Sequence, residues 1–216
     1  MRAINFVSLS LLLLLLAWFT FRRITPREYR TKGRLGPASI LLALLAFAFH
    51  ANLSYFFIPA VWPALPSLPQ NPYLRIAGLL LMLAGLAGVV TAMARLGLRT
   101  VFGQASSALQ QTGVYALSRN PQIIFYGMTI AGYALLWPSW LAAGWFLLYP
   151  PVAHMMVLAE EEHLRHVYGQ AYEAYRRRVP RYLALPFIGT DCTLLAVFVL
   201  PATILWSGYN PSPPVA

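Results

Sequence analysis

The chain has 216 residues, of which 59% are hydrophobic and only 10% charged, and its mean hydropathy is +0.60. These values lie outside the range of soluble domains and point to an integral membrane protein. The formal net charge of +10 does not indicate nucleic acid, because the basic residues lie between apolar runs and not along one polar face. A single cysteine, Cys192, excludes an intrachain disulfide framework and a cysteine metal site.

A chain that crosses a bilayer must satisfy its backbone hydrogen bonds internally, and the period-two alternation of a membrane barrel is absent, so the apolar runs are read as helices. They cover Phe6 to Phe21, Ala38 to Val61, Leu74 to Ala94, Ile123 to Trp137, Trp140 to Leu158 and, more weakly, Cys192 to Trp206. The predicted fold is all-α, a polytopic membrane helix bundle with five to six transmembrane helices in one membrane domain. Within it, residues 1–94 carry three N-terminal spans, 95–186 a motif-bearing region, and 187–216 the weaker last run and a tail. The first run lacks a small-residue cleavage site and continues into "FRRITPREYRTKGR", so it reads as an uncleaved span. The fourth is short for a perpendicular crossing and forms a hairpin with the fifth. Pro150 and Pro151 are expected to kink that fifth helix.

Short cytoplasmic loops collect Lys and Arg, which makes side assignment possible. Fourteen of the sixteen Lys and Arg residues fall in the segments after spans one, three and five, leaving only Arg2 and Arg75 for the opposite side. The expected topology puts the N-terminus outside and those three segments in the cytoplasm, at the inner membrane if the source is bacterial.

The segment "EEEHLRHVYGQAYEAYRRRVPRY", Glu160 to Tyr182, holds four of the six acidic residues. With only Gly169 interrupting it, the stretch from Ala159 to Arg178 reads as one amphipathic cytoplasmic helix leaving the fifth span. At about 100° per residue, Glu160 shares a face with Leu164, Val167, Tyr168, Ala171 and Tyr175, and Glu161 adjoins Tyr172. Glu162, His166, Glu173 and Arg177 face the other way, a solvated or headgroup-facing side. Carboxylates turned toward apolar and aromatic groups need a cationic or hydrogen-bonding partner. Either a ligand supplies the cation, or Arg119 or Arg181 pairs with Glu160 and Glu161 to pin the helix. A metal is not expected: the Glu160–His163 spacing occurs once, and the chain has four histidines in all.

A second polar cluster precedes the fourth span, in "RLGLRTVFGQASSALQQTGVYALSRNPQIIFYG". Gly113 permits a turn, Tyr115 offers an amphipathic ring, and Arg119 stands just before Pro121, a residue suited to a first helical turn. Free N–H groups at that helix start, with a nearby guanidinium, suit a carboxylate or phosphate. No G-x-G-x-x-G, P-loop or Ser-His-Asp set is present.

Together "GVYALSRNPQ", "EEEHLRHVYGQAYEAY" and "RVPRY" resemble the isoprenylcysteine carboxyl methyltransferase and phospholipid methyltransferase superfamily of membrane enzymes. Its pattern is approximately G-x-Y, R-H-P-x-Y-x-G, a helical hairpin, E-E, a hydrophobic residue, F-G-x-x-Y-x-x-Y and V-P-R. Counted back from Gly169, the family carboxylate pair falls on Glu160 and Glu161. The family histidine is Asn120 here, and the expected Tyr-x-Gly is replaced by Ile123 and Phe125, with Tyr126 and Gly127 arriving later.

The resemblance implies S-adenosyl-L-methionine bound on the cytoplasmic side and a lipid-like substrate entering between helices among membrane lipids. It implies cofactor-binding roles for Gly113, Tyr115, Arg119, Asn120, Pro121, Tyr126, Glu160, Glu161 and Tyr172, and catalytic roles for Arg119, Glu160, Arg178 and Arg181, with Arg178 or Arg181 meeting the substrate's polar head. The implied reaction is methyl transfer to a carboxyl or an amine of that acceptor. Two readings compete with it: an NADPH-dependent membrane reductase of the sterol type, which is similar in its C-terminal half, and a non-catalytic lipid-binding membrane protein.

Overall fold

Leu13 and Ala17 are completely buried, whereas Leu11, Leu12 and Leu15 of the same leucine run are more than half exposed, so the first helix has one protein face and one lipid face. That helix, α1 (Arg2–Phe19), turns Phe6, Ser10, Leu13 and Ala17 inward at alternating steps of four and three, the helical period. The computed structural model describes residues 1–58, 67–69, 71–101, 103 and 108–183. The weaker sixth run at Cys192 to Trp206, Cys192 itself and the C-terminal tail lie outside them.

From α1 the chain passes through a π turn, Thr20–Ile24, into α2 (Thr25–Lys32), giving one rod from Arg2 to Lys32. Pro26 stands just beyond this widened turn; a proline lacks the N–H that an α-helix would need and its ring crowds the carbonyl four residues earlier. Gly33, at φ 64°, ends α2 in the left-handed conformation that glycine adopts at low cost. Glu28 then secures the turn into α3 (Pro37–Asn52) by accepting from the Gly36 N–H at 2.7 Å and from Lys32 at 2.6 Å.

Helix α4 (Pro72–Leu96) starts on an Asn71 cap and is followed by the single turn α5 (Leu98–Val101). Gly78, Gly85 and Ala92 recur every seventh residue along α4 and are its buried positions. They face α6 (Pro121–Leu136) so closely that a Cβ on Gly85 would lie 2.6 Å from the Phe125 carbonyl oxygen, and one on Gly132 would lie 2.5 Å from that of Gly78. Small residues permit this approach, which is how apolar helices gain packing where lipid offers no hydrophobic drive between them.

Helix α7 (Trp140–Tyr168) is capped by Ser139, runs continuously through Pro150 and Pro151, and packs against α1 and α3. A reciprocal clasp joins α3 to α7: Trp145 donates to the His50 carbonyl at 2.6 Å, and the His50 ring lies 3.0 Å from the Trp145 carbonyl. Among the described residues every element is helical, and four helices are long and apolar enough to cross a membrane, with α6 as a shorter apolar fifth. Its 16 residues rise about 24 Å, short of the ~30 Å hydrocarbon layer.

One expectation changes. The acidic segment is not a single helix, because Gly169 at φ 48° and ψ −119° ends α7 and starts a separate helix, α8 (Gln170–Arg178). Val167 and Ala171, assigned to the inner face by a continuous wheel, are exposed.

Candidate functional site

The geometry begins at "SRNP". The Ser118 hydroxyl accepts from the Asn120 N–H at 3.1 Å and donates to the Arg181 carbonyl at 3.2 Å, where the Asn120 side chain also donates at 3.1 Å. The Arg119 N–H donates to the Pro180 carbonyl at 2.9 Å. These bonds fasten the start of α6 to the segment after α8, with Pro121 at the first helical position. Helix α8 buries Tyr172 and Tyr175 and exposes Arg176, Arg177 and Arg178; the Tyr175 hydroxyl donates to the Tyr115 carbonyl at 2.6 Å. Tyr115 is itself buried in the turn opened by Gly113 at φ 63°, where a side chain would press on the Arg95 guanidinium.

Inside this strapped corner, Glu161 is 3% exposed and meets two arginines. Arg119 reaches one oxygen at 2.8 Å, and Arg181 reaches the other at 2.9 Å through its terminal nitrogen while its Nε contacts both at 3.2 Å. Arg119 also donates to the Tyr172 hydroxyl at 3.2 Å, and its buried Nε–H has no acceptor among the described residues. Burial, with the Glu161 charge, pushes the Tyr172 phenol up to about 12, while the arginines oppose the rise. Tyr172 therefore stays neutral at physiological pH.

Glu160 differs from its neighbour. It is partly buried, yet among the described residues it forms no hydrogen bond or ion pair. Burial, and then the Glu160 charge, drive the Tyr115 phenol upward; burial also raises Tyr182, opposed by Arg181 and reinforced by Glu161 and Glu160. Glu160 thus sits within electrostatic reach of both rings. The Tyr182 hydroxyl lies 2.9 Å from His154 Nδ1.

The structure brings Arg119, Asn120, Pro121, Tyr115, Glu160, Glu161, Tyr172 and Arg181 into one corner. Two sequence-predicted residues stand apart. Arg178 is exposed and donates to Gln111 at 3.0 Å, and Tyr126 packs edge-on against Tyr149 and Phe47 in the apolar interior. Glu162 and Glu173 lie on the water side as expected, pairing with Arg30 at 2.6 Å and with Arg165 at 3.0 Å. Ser118 and Tyr29 were not anticipated. Ser118 is adjacent to the recognised motif, whereas Tyr29 lies in the basic segment far upstream and carries no local signal. Among the described residues no three His, Cys, Asp or Glu side chains converge as a metal site.

Residues 73–171 match the phospholipid methyltransferase family. That stretch opens on α4 and contains Arg119, Asn120, Pro121, Glu160 and Glu161, bearing out the resemblance read from the sequence. It leaves out α1 to α3 and stops at Ala171, before most of α8 and the Val179–Tyr182 segment that straps the corner. The match supports a membrane methyltransferase in general. No curated protein and no solved structure matches the chain significantly.

Proposed function

We propose that the protein is an S-adenosyl-L-methionine-dependent methyltransferase acting on a lipid-like acceptor, with its site at the cytoplasmic face and its N-terminus outside. One observation carries this reading: beside a buried carboxylate already held by two arginines lies a second, Glu160, with no partner among the described residues, and both fall in the segment that matches the family. The orientation rests on the three basic segments meeting at one end of the bundle, through the Arg30–Glu162 pair, the Leu35–Gly103 backbone bond and the Arg119–Glu161 pair.

The donor set fits the amino-acid end of such a cofactor. Arg119 retains a buried Nε–H suited to a carboxylate oxygen, and Glu160 retains a carboxylate suited to an ammonium. When bound, the cofactor would supply a sulfonium methyl that the acceptor attacks in line, the methyl–sulfur bond breaking as S-adenosylhomocysteine leaves, a reaction that needs orientation and a site poor in water more than covalent help from the protein. Glu161 and Tyr172 hold the Arg119 guanidinium in one direction. The Ser118 and Asn120 bonds to the Arg181 carbonyl hold the Val179–Tyr182 segment on the start of α6, and the buried rings of Tyr115, Tyr172 and Tyr182 keep water from the corner in which Glu161 is buried.

Calorimetric titration of the purified protein with S-adenosyl-L-methionine tests the reading, followed by incubation of lipid extracts with methyl-labelled cofactor. Saturable binding and one labelled lipid product are expected. A folded protein that binds no cofactor and labels no lipid rules it out.

A further inference from the structure

The helix α2, outside the family segment, enters the site through Tyr29. This residue is 5% exposed, and its ring stacks on His163 with centroids 3.9 Å apart and planes 9° apart. His163 lies three residues after Glu160 on α7, so the two side chains occupy neighbouring positions on that helix. Gly103, just after α5, approaches the same place: its carbonyl accepts from the Leu35 N–H at 3.0 Å, and a Cβ on it would fall 2.8 Å from the Tyr29 hydroxyl. On its outer side the Tyr29–His163 stack lines a groove of about 490 Å³ with Pro26, Arg30 and Ala159; on its inner side the Tyr29 phenol is within electrostatic reach of Glu160.

Three polar groups at this junction have no partner among the described residues: the Glu160 carboxylate, the Tyr29 hydroxyl and the buried His163 Nδ1. Each can accept a hydrogen bond when the imidazole carries its proton on the other nitrogen, and the His163 Nδ1, fully buried, is penalised for having none. A protonated amine presents three N–H donors and a positive charge to match them. A quaternary ammonium or a sulfonium has no N–H to donate.

We propose that Tyr29 and His163 complete, with Glu160, a recognition site for a protonated amine of the ligand, so that α2 sets the specificity of a site whose motif lies elsewhere in the chain. This inference rests on the methyltransferase reading of the same site. The amine belongs either to the amino-acid end of the cofactor or to the headgroup of a lipid acceptor.

Titration of the full chain in lipid nanodiscs separates these. One arm compares S-adenosylhomocysteine with its analogue lacking the amino group; the other compares short-chain lipids with ethanolamine and with choline headgroups. The wild type should prefer the N–H-bearing ligand in one arm, which assigns the source. Tyr29→Phe and His163→Phe, both of which preserve the stack, should reduce that preference about tenfold or more, whereas Arg27→Gln, on the exposed side of α2, should leave it intact. Discrimination retained in both variants, or absent from a wild type that binds, overturns the inference alone. A folded wild type that binds none of the four compounds overturns it together with the methyltransferase reading.

Discussion

Arg119 and Glu161 face each other across 2.8 Å with side chains only 5% and 4% exposed, one in the bend before α6 and the other on α7, 42 residues apart in sequence. Removing one member of such a pair leaves a buried charge without its counterion, which costs about 3–5 kcal/mol. Glu161→Gln should therefore lower the unfolding free energy of the detergent-solubilised protein, read from its denaturant curve, by about 3–5 kcal/mol. An unchanged stability would mean that Tyr172 and the substituted amide satisfy Arg119 as well as the carboxylate does.

Glu160→Gln should behave in the opposite manner. Because Glu160 has no partner among the described residues, neutralising it removes a desolvation cost and none of the described bonds. Thermal unfolding should show unchanged or slightly higher stability, while affinity for S-adenosyl-L-methionine falls by at least about tenfold, the equivalent of ~1.4 kcal/mol. If Glu160→Gln instead destabilises the protein as much as Glu161→Gln, the division of labour between the two carboxylates is wrong.

Glu162→Gln breaks only a bridge to Arg30 between side chains that are 46% and 71% exposed. Exposed pairs contribute about 0–1 kcal/mol. Its unfolding free energy should stay within that margin of wild type, and raising the salt concentration should erase the difference.

Gly169→Ala tests the break between α7 and α8. Nothing lies within 4 Å of where the new Cβ would be, so any penalty comes from the backbone, whose φ of 48° and ψ of −119° suit glycine. A loss of about 1–3 kcal/mol is expected. Limited proteolysis at Arg176–Arg178 should accelerate as α8 loosens, and equal cleavage rates would show that α8 is held by its tyrosines alone.

Much of this architecture is written in local patterns. The spans follow from apolar runs because hydrocarbon tolerates little else, and the inward turn of Glu161 follows from helical periodicity alone. The pairing of Glu161 with both arginines is the pinning alternative that the sequence left open for the carboxylates; only the third dimension distinguishes it from Glu160, since both residues carry the same group one position apart. The break at Gly169 was harder to read, because a lone glycine is compatible with a helix and its backbone angles depend on how α8 is pulled down by Tyr172, Tyr175 and the Pro180–Arg181 strap. Tyr29 was not legible, since no spacing rule relates a residue after the first span to one after the fifth.

The rod from Arg2 to Lys32 has 31 residues, about 46 Å of helix against a hydrocarbon layer of ~30 Å. A helix of that length cannot end where the acyl chains end. In the proposed orientation its last turns carry Tyr29 out of the oily phase to the level of the buried ion pairs, which would assemble the corner at the seam between two solvents. The proposed cofactor, charged and water-borne, and the proposed acceptor, greasy and membrane-borne, would each arrive there from its own side, and neither would have to cross the other's medium to meet.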